Sequence, residues 1–323
     1  MIDRRTLLAG LTALPLLGAG ACAASGSQQA AAAPTLHRRP IPGANEQVPV
    51  IGIGTARRFQ GASAEEQLAP LRQTISRFVE LGGRLIDTAP SYGDAEQVIG
   101  RLMEELGVRN RLFLATKVAG ATAAEGRVQI DQSFRNLRTG VIDLIALHNL
   151  QDDAAKLAVL RELKSQGRVR SIGASISSRA GFAPAAGAPP ASQEQYAPFE
   201  AMMRRERLDV IQVDYALDNR GAAERILPLA QEQGLAVMVN LPFGRGRLFQ
   251  VTQGRPLPDW AAEIGAASWA QIFLKYIVSH PARPIAIPGT AQARYVDDNF
   301  AAARGPMPDA AMRRRMEEYI DAL

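Results

Sequence analysis

One cysteine, four lysines and three histidines in 323 residues narrow the chemistry before any motif is considered. The lone cysteine, Cys22, lies near the N-terminus, so an internal disulfide, a zinc ribbon and a cysteine-ligated iron–sulfur cluster are all excluded. His37, His148 and His280 are too scattered to form a spaced histidine metal motif. Arginine largely replaces lysine, which occurs only at 117, 156, 164 and 275, and the net charge is a modest +5. No basic cluster alternates with aromatics, so nucleic acid is not an expected partner. No Gly-x-Gly-x-x-Gly turn joins the first strand to its helix; Gly244-x-Gly246 comes late and inside a loop. A doubly wound dinucleotide-binding sheet is therefore the weaker of two α/β architectures.

What is present begins with a leader. Arg4-Arg5 precedes an uncharged run from Leu7 to Ala21, followed by small residues. That is a basic region, an apolar region and a cleavage zone. The paired arginines are of the twin-arginine type, which exports folded proteins to the periplasm. The run is short for a membrane span and contains Pro15. We assign residues 1–23 to this signal, with the export machinery as its partner. Ala19-Gly20-Ala21 offers cleavage to a soluble product, and lipidation of Cys22 is the lesser alternative. Residues 24–45, rich in Ala, Ser, Gln and Pro, read as a flexible tether.

From residue 46 to 323 short apolar strands alternate with amphipathic helices. Strands are expected at 48–55, 85–87, 111–118, 142–148, 170–175, 209–215, 235–241 and 284–288. Helices are expected at 65–81, 95–106, 128–139, 153–166, 195–206, 221–233, 268–279 and 292–303, with a charged terminal helix at 308–321. Residues 177–193 and 242–258 are Gly/Pro-rich loops. Eight strand–helix units in roughly 250 residues predict a single (β/α)8 barrel with an additional C-terminal helix.

Polar residues gather where the strands end. Asp87 closes one strand and Tyr92 follows on its loop; Lys117, His148 and Ser175 close three others. Each alone has an ordinary explanation, such as a capping serine or a snorkelling lysine. In a barrel of parallel strands, however, all four ends open on one face. A tyrosine can give its proton to a carbonyl oxygen, and a neighbouring ammonium is expected to lower its pKa toward the working range. A carboxylate would hold the lysine charged, and a histidine would orient the substrate. The set contains no nucleophile arrangement, and it suits carbonyl reduction if a cofactor brings the hydride.

The order Asp87-Thr88-Ala89-x-x-Tyr92-Gly93, Glu96-x-Val98-Ile99-Gly100, Ala115-Thr116-Lys117, Leu147-His148 and Ile287-Pro288-Gly289-Thr290 with Asp298-Asn299 resembles the aldo-keto reductase family. The resemblance covers roughly residues 48–303. It implies an NAD(P)H-dependent (β/α)8 oxidoreductase acting on a small-molecule carbonyl substrate. Asp87, Tyr92, Lys117 and His148 match its catalytic tetrad. Ser175 and Gln212 match residues that hold the nicotinamide carboxamide, and Thr55 matches a contact below the ring. Pro242, Phe243, Gly244, Gly246 and Leu248 match the segment over the pyrophosphate. Pro288, Gly289, Thr290, Asp298 and Asn299 fall around the adenosine half.

Three positions depart from the pattern. Ile176 stands where Asn usually follows the serine, Asn240 where an aromatic usually stacks, and Tyr295 where an arginine usually meets the 2′-phosphate. Arg294 is the substitute we assign to that phosphate. NADPH is thus the expected cofactor, with NADH as the alternative. A non-catalytic, cofactor-binding sensory barrel is the second functional reading. The sequence does not assign an oligomeric state.

Overall fold

The computed structural model describes residues 35–149, 153–177 and 193–323. The leader and the loop residues 178–192 lie outside the described residues. From Pro34 onward the chain forms one compact unit.

Two short antiparallel strands come first, β1 (Arg38–Ile41) and β2 (Glu46–Pro49). Eight parallel strands follow: β3 (Ile53–Gly54), β4 (Leu85–Asp87), β5 (Phe113–Val118) and β6 (Ile142–His148), then β7 (Val169–Ile176), β8 (Val210–Asp214), β9 (Ala236–Asn240) and β10 (Ile285–Ala286). They are ordered in space as in sequence. The sheet closes on itself where Ile51 bridges Ala286 and Gly54 bridges Gly289. Gly52 N–H donates to the Ala286 carbonyl at 2.9 Å, and Ala286 N–H to Val50 at 2.9 Å. This is the expected barrel.

The helices are α1 (Glu65–Glu80), α2 (Ala95–Leu106), α3 (Ala123–Asn136), α4 (Asp153–Ser165) and α5 (Gln193–Arg205), then α6 (Ile226–Glu232), α7 (Arg247–Val251), α8 (Trp269–Val278), α9 (Ala293–Ala301) and α10 (Ala310–Asp321). α3 begins five residues before the expected start at 128. Thr122 caps it, accepting from Glu125 N–H at 3.2 Å while the Glu125 carboxylate reaches back to Thr122 N–H at 3.2 Å. That is a capping box, written in the sequence as Thr-x-x-Glu. α6 is shorter than the expected 221–233 because residues 221–223 form a separate 3-10 turn.

Part of the stretch expected as a tether, residues 38–45, is structured instead. β1 lies inside that span and pairs with β2, so residues 38–49 form a hairpin. Its Ile41 and Val48 are buried with Leu85, Phe113, Leu144, Val210, Ala236 and Ile285, the apolar interior at the N-terminal end of the barrel. Burial of these two side chains holds the hairpin in place, contributing roughly 1.5–3 kcal/mol each.

A strand alternates its side chains between two faces. Leu85 then Asp87, Phe113 then Ala115 then Lys117, and Val210 then Gln212 therefore point into the barrel, apolar below and polar above. The residues between them, including Ile86, Leu114 and Ile211, meet the helices. Outside, α2 presses closely on α3. A Cβ on Gly100 would drive into the Asn136 carbonyl and come within 2.9 Å of the Leu137 carbonyl carbon.

Gly100→Ala should thus lower stability by about 1–3 kcal/mol through overpacking. Gly140→Ala, where a Cβ meets nothing within 4 Å, should stay within about 0.5 kcal/mol of the parent. Paired urea melts of the two variants check this.

Candidate active site

Lys117 reaches the polar upper layer from the penultimate position of β5. Its ammonium donates to both Asp87 carboxylate oxygens at 2.8 Å and to the Thr88 carbonyl at 2.8 Å. Both side chains are buried, at 2% and 4% exposure, so each charge has the other as its main support. Burial opposes the ammonium, but the Asp87 carboxylate and then Tyr92 outweigh it and raise the Lys117 pKa. Burial pushes the Asp87 carboxyl up, against the pull of Lys117 and Gln212. The two-oxygen geometry is that of an ammonium holding a carboxylate.

Tyr92 stands above this pair, half-buried. The Lys117 ammonium lies 5.3 Å from its ring centroid. His148, the last residue of β6, faces it edge-on, with ring centroids 6.3 Å apart at 87°. The four residues expected from the sequence are therefore brought together. One expectation is corrected: the Tyr92 pKa is raised, not lowered. Burial dominates, and the opposing field of Lys117 does not cancel it. The phenol is thus protonated at neutral pH. Burial, aided by Lys117, lowers His148 to about 4, so its imidazole is neutral there and carries one N–H. Both groups that face the cleft are uncharged donors.

The remaining assigned residues are distributed around this centre. His148, Ser175 and Gln212 lie in one row across β6, β7 and β8. Ser175 Oγ donates to the Leu147 carbonyl at 3.0 Å, and the Gln212 amide supports the Asp87 carboxyl. Thr55 is buried, and its hydroxyl donates to the Asp87 carbonyl at 2.9 Å, so it braces the aspartate's backbone. Thr290 Oγ1 accepts from the Asn299 amide at 3.1 Å. The Asp298 carboxylate accepts from Ser268 Oγ at 3.0 Å and from Gln271 at 2.7 Å, which ties α9 to the start of α8. Pro288 and Gly289 extend β10 at the barrel's closing seam. Arg294 stacks on Tyr295, with its guanidinium carbon 4.8 Å from the ring centroid.

The segment after β9, expected as a loop over 242–258, carries Pro242 and Phe243 and then turns into α7, which holds Leu248. Its shape rests on a pair that sequence spacing does not reveal, Arg247 to Asp218 at 2.9 Å. Gly244 has φ +55, and a Cβ there would sit 2.6 Å from the Asp218 carboxylate. The left-handed backbone favours glycine at 244, and a side chain there would push on the Asp218–Arg247 pair. Gly246, with φ +99, has open space around it.

Three further residues belong to the site. Glu96 is buried and accepts from Thr116 Oγ1 at 2.7 Å and from Asn136 at 3.2 Å, fixing β5 next to Lys117. Its signal was its fixed place in the Tyr92 segment. Asn219 donates to Asp214 at 2.7 Å above β8. Asn240 ends β9; its amide nitrogen donates to Ser177 at 3.2 Å, and its buried Oδ1 has no hydrogen-bond partner among the described residues. An unsatisfied buried acceptor beside this row fits an amide-bearing ring. A nicotinamide is such a group. The residues present therefore fit the cofactor.

This barrel, with a protonated tyrosine over a buried lysine–aspartate pair, defines a class: nicotinamide-dependent oxidoreductases that move a proton to or from a carbonyl oxygen. The comparisons are more specific. A model of the Aldo/keto reductase family matches residues 50–319. The chain is 30% identical over 283 residues to the methylglyoxal reductase YeaE of Escherichia coli, across 84% of this chain and 91% of that protein. It is also 27% identical over 203 residues to an NADH-specific methylglyoxal reductase of Escherichia coli, across 54% of this chain and 57% of that protein. An aldo-keto reductase from Klebsiella pneumoniae, solved in complex with NADPH, superposes with a TM-score of 0.70 at 25% identity, covering 88% of this chain and 96% of that one. The chain belongs to the aldo/keto reductase family.

The low imidazole pKa values set a stability window. Burial and Arg313 also hold His280 to about 4. Unfolded histidine titrates near 6.5. Between those values the unfolded chain binds protons that the native chain does not, so stability is full above pH ~6.5 and falls as pH drops toward ~4. Urea midpoints from pH 7.5 to 4.5 should fall in the wild type and fall less steeply in His148→Gln.

Proposed function

We propose that the protein reduces a small aldehyde or ketone to its alcohol with NADPH, NADH being the alternative, and that Tyr92 supplies the proton. The observation that carries this reading is the protonated Tyr92 phenol placed over the buried Lys117–Asp87 pair and edge-on to a neutral His148. Ser175, Gln212 and Asn240 would hold the nicotinamide end. Gly244, Gly246 and Leu248 would lie along the pyrophosphate, and Thr290, Asn299 and Arg294 along the adenosine end. The bound reduced cofactor supplies the hydride to the carbonyl carbon.

The chain's own residues supply the rest. His148 donates its N–H to the carbonyl oxygen, polarising it without bringing a full charge into the cleft. Tyr92 passes its phenolic proton to that oxygen as charge builds there. The phenolate left behind lies beside the Lys117 ammonium, which stabilises it, and Asp87 keeps that ammonium charged and in place. Solvent then returns a proton to Tyr92. Lys117 thus acts on the product state of the proton transfer. In the resting state burial keeps the phenol's pKa high.

The names of two relatives, both methylglyoxal reductases, support a small reactive carbonyl as substrate. No observation favours the non-catalytic, sensory reading. Export through the twin-arginine route remains part of the proposal, supported by Arg4-Arg5 ahead of the apolar run. A protein exported folded can leave with its cofactor already bound.

Tyr92→Phe should lower kcat/KM for a reactive aldehyde by about 10²–10⁴-fold while leaving NADPH binding, read by fluorescence titration, unchanged. Wild-type turnover by Tyr92→Phe would sink the mechanism. Replacing Arg4 and Arg5 with lysine should retain the protein inside the cell on fractionation; identical distribution of variant and parent would sink the export assignment.

A further inference from the structure

The closed end of the barrel, opposite Tyr92, carries two kinds of charge. Under β4 to β8 the charges are paired. Glu46 meets Arg84 at 2.8 Å and Arg170 at 2.7 Å, Asp143 meets Arg109 at 2.9 Å, and Asp209 meets Lys164 at 2.6 Å. Under β9 and β10 the pattern breaks. There a cavity of about 220 Å³ opens between the β1–β2 hairpin, the end of α6 and the turn before β10. Its charged lining is Arg39 and Arg283, and no carboxylate lines it.

The two arginines are held differently. The Arg39 guanidinium donates to three backbone carbonyls, Arg283 at 3.1 Å, Arg38 at 3.0 Å and Val278 at 3.0 Å. A guanidinium has five N–H donors, so two remain after these three. Burial, and then the like charge of Arg283, lower the Arg39 pKa to about 10, which leaves it cationic at neutral pH. Arg283 is exposed, forms no ion pair with any described residue, and sits at φ +55, a left-handed backbone that arginine rarely adopts. Two cations share one cavity with no counter-charge from any described residue.

The walls and the volume limit what could supply that counter-charge. Pro40, Pro42, Leu235 and Pro281 present apolar surface to it. The volume exceeds the ~150 Å³ of an apolar cavity that takes up benzene. A bare inorganic anion would satisfy the arginines and leave these walls unfilled.

We propose that this cavity is a second binding site, which takes a small organic carboxylate of about benzoate size. Its carboxylate meets Arg39 and Arg283, and its apolar body lies against Pro40, Pro42, Leu235 and Pro281. The site is separate from the catalytic centre and independent of the reaction proposed there.

Calorimetric titration of the full chain with benzoate tests it. Saturable binding is expected, and inorganic phosphate should bind at least ~10-fold more weakly, because it lacks the apolar body. Arg283→Ala removes one cation, and Gln231→Glu places a competing carboxylate on the exposed cavity wall. Each should weaken benzoate by ~10-fold or more and leave kcat/KM for aldehyde reduction unchanged. Tyr92→Phe should leave benzoate binding unaltered. Absence of saturable binding, binding indifferent to both cavity variants, or binding that competes with the aldehyde would overturn the proposal.

Discussion

The contact between Lys117 and Asp87 is the constraint on which the site depends. An unpaired charge at that depth would cost several kcal/mol, so neither residue can be removed without stranding the other. The same ammonium donates to the Thr88 carbonyl, one residue into the loop that ends at Tyr92. One buried cation therefore fixes a carboxylate, a loop and, through the loop, the phenol. The barrel arranges this by strand alternation: Ala115 stands beside Asp87 in register, and Lys117 is the next inward position above it. A shift of one residue in β5 would turn Lys117 toward the helices and Thr116 into the barrel. The Thr116–Glu96 bond holds the strand against that shift.

Charge in the site is segregated by depth. The ionised pair lies in the floor, whereas the two groups facing the cleft are neutral. Burial produces both conditions, since it pushes Tyr92 up and His148 down. A carbonyl entering there meets two neutral proton donors, Tyr92 and His148. The cation beneath becomes useful as negative charge appears on the phenol oxygen. This is preorganised electrostatics: the dipoles and the charge stand where the transition state requires them before any substrate arrives.

The tetrad was legible in the sequence because strand ends and a two-residue period are local properties. Asp87, Lys117 and His148 each follow an apolar run whose alternation can be counted. The sign of the Tyr92 shift was not legible, because it depends on how deeply neighbouring loops bury the ring. Nor was the role of Thr55, whose hydroxyl is used by a backbone carbonyl 32 residues away. Arg247 and Asp218 are 29 residues apart, and no pattern of spacing pairs them. The hairpin was hidden for another reason. Its strands are four residues each, too short to show a period, and they lie beside a polar, Ala-rich stretch. The early start of α3 was the opposite case, since Thr122 and Glu125 spell a cap that outweighs the weak apolar pattern behind it.

That hairpin anchors the N-terminal side of the barrel. His37 is already fastened: its N–H donates to the Ala303 carbonyl at 2.9 Å, its ring meets the Gly305 carbonyl at 2.9 Å, and its own carbonyl accepts from Val50 at 3.1 Å. Trimming past it would unseat β1, withdraw Ile41 from the interior and open the floor beneath Phe113 and Leu144. How the floor is sealed thus sets how far toward the N-terminus the fold needs its chain.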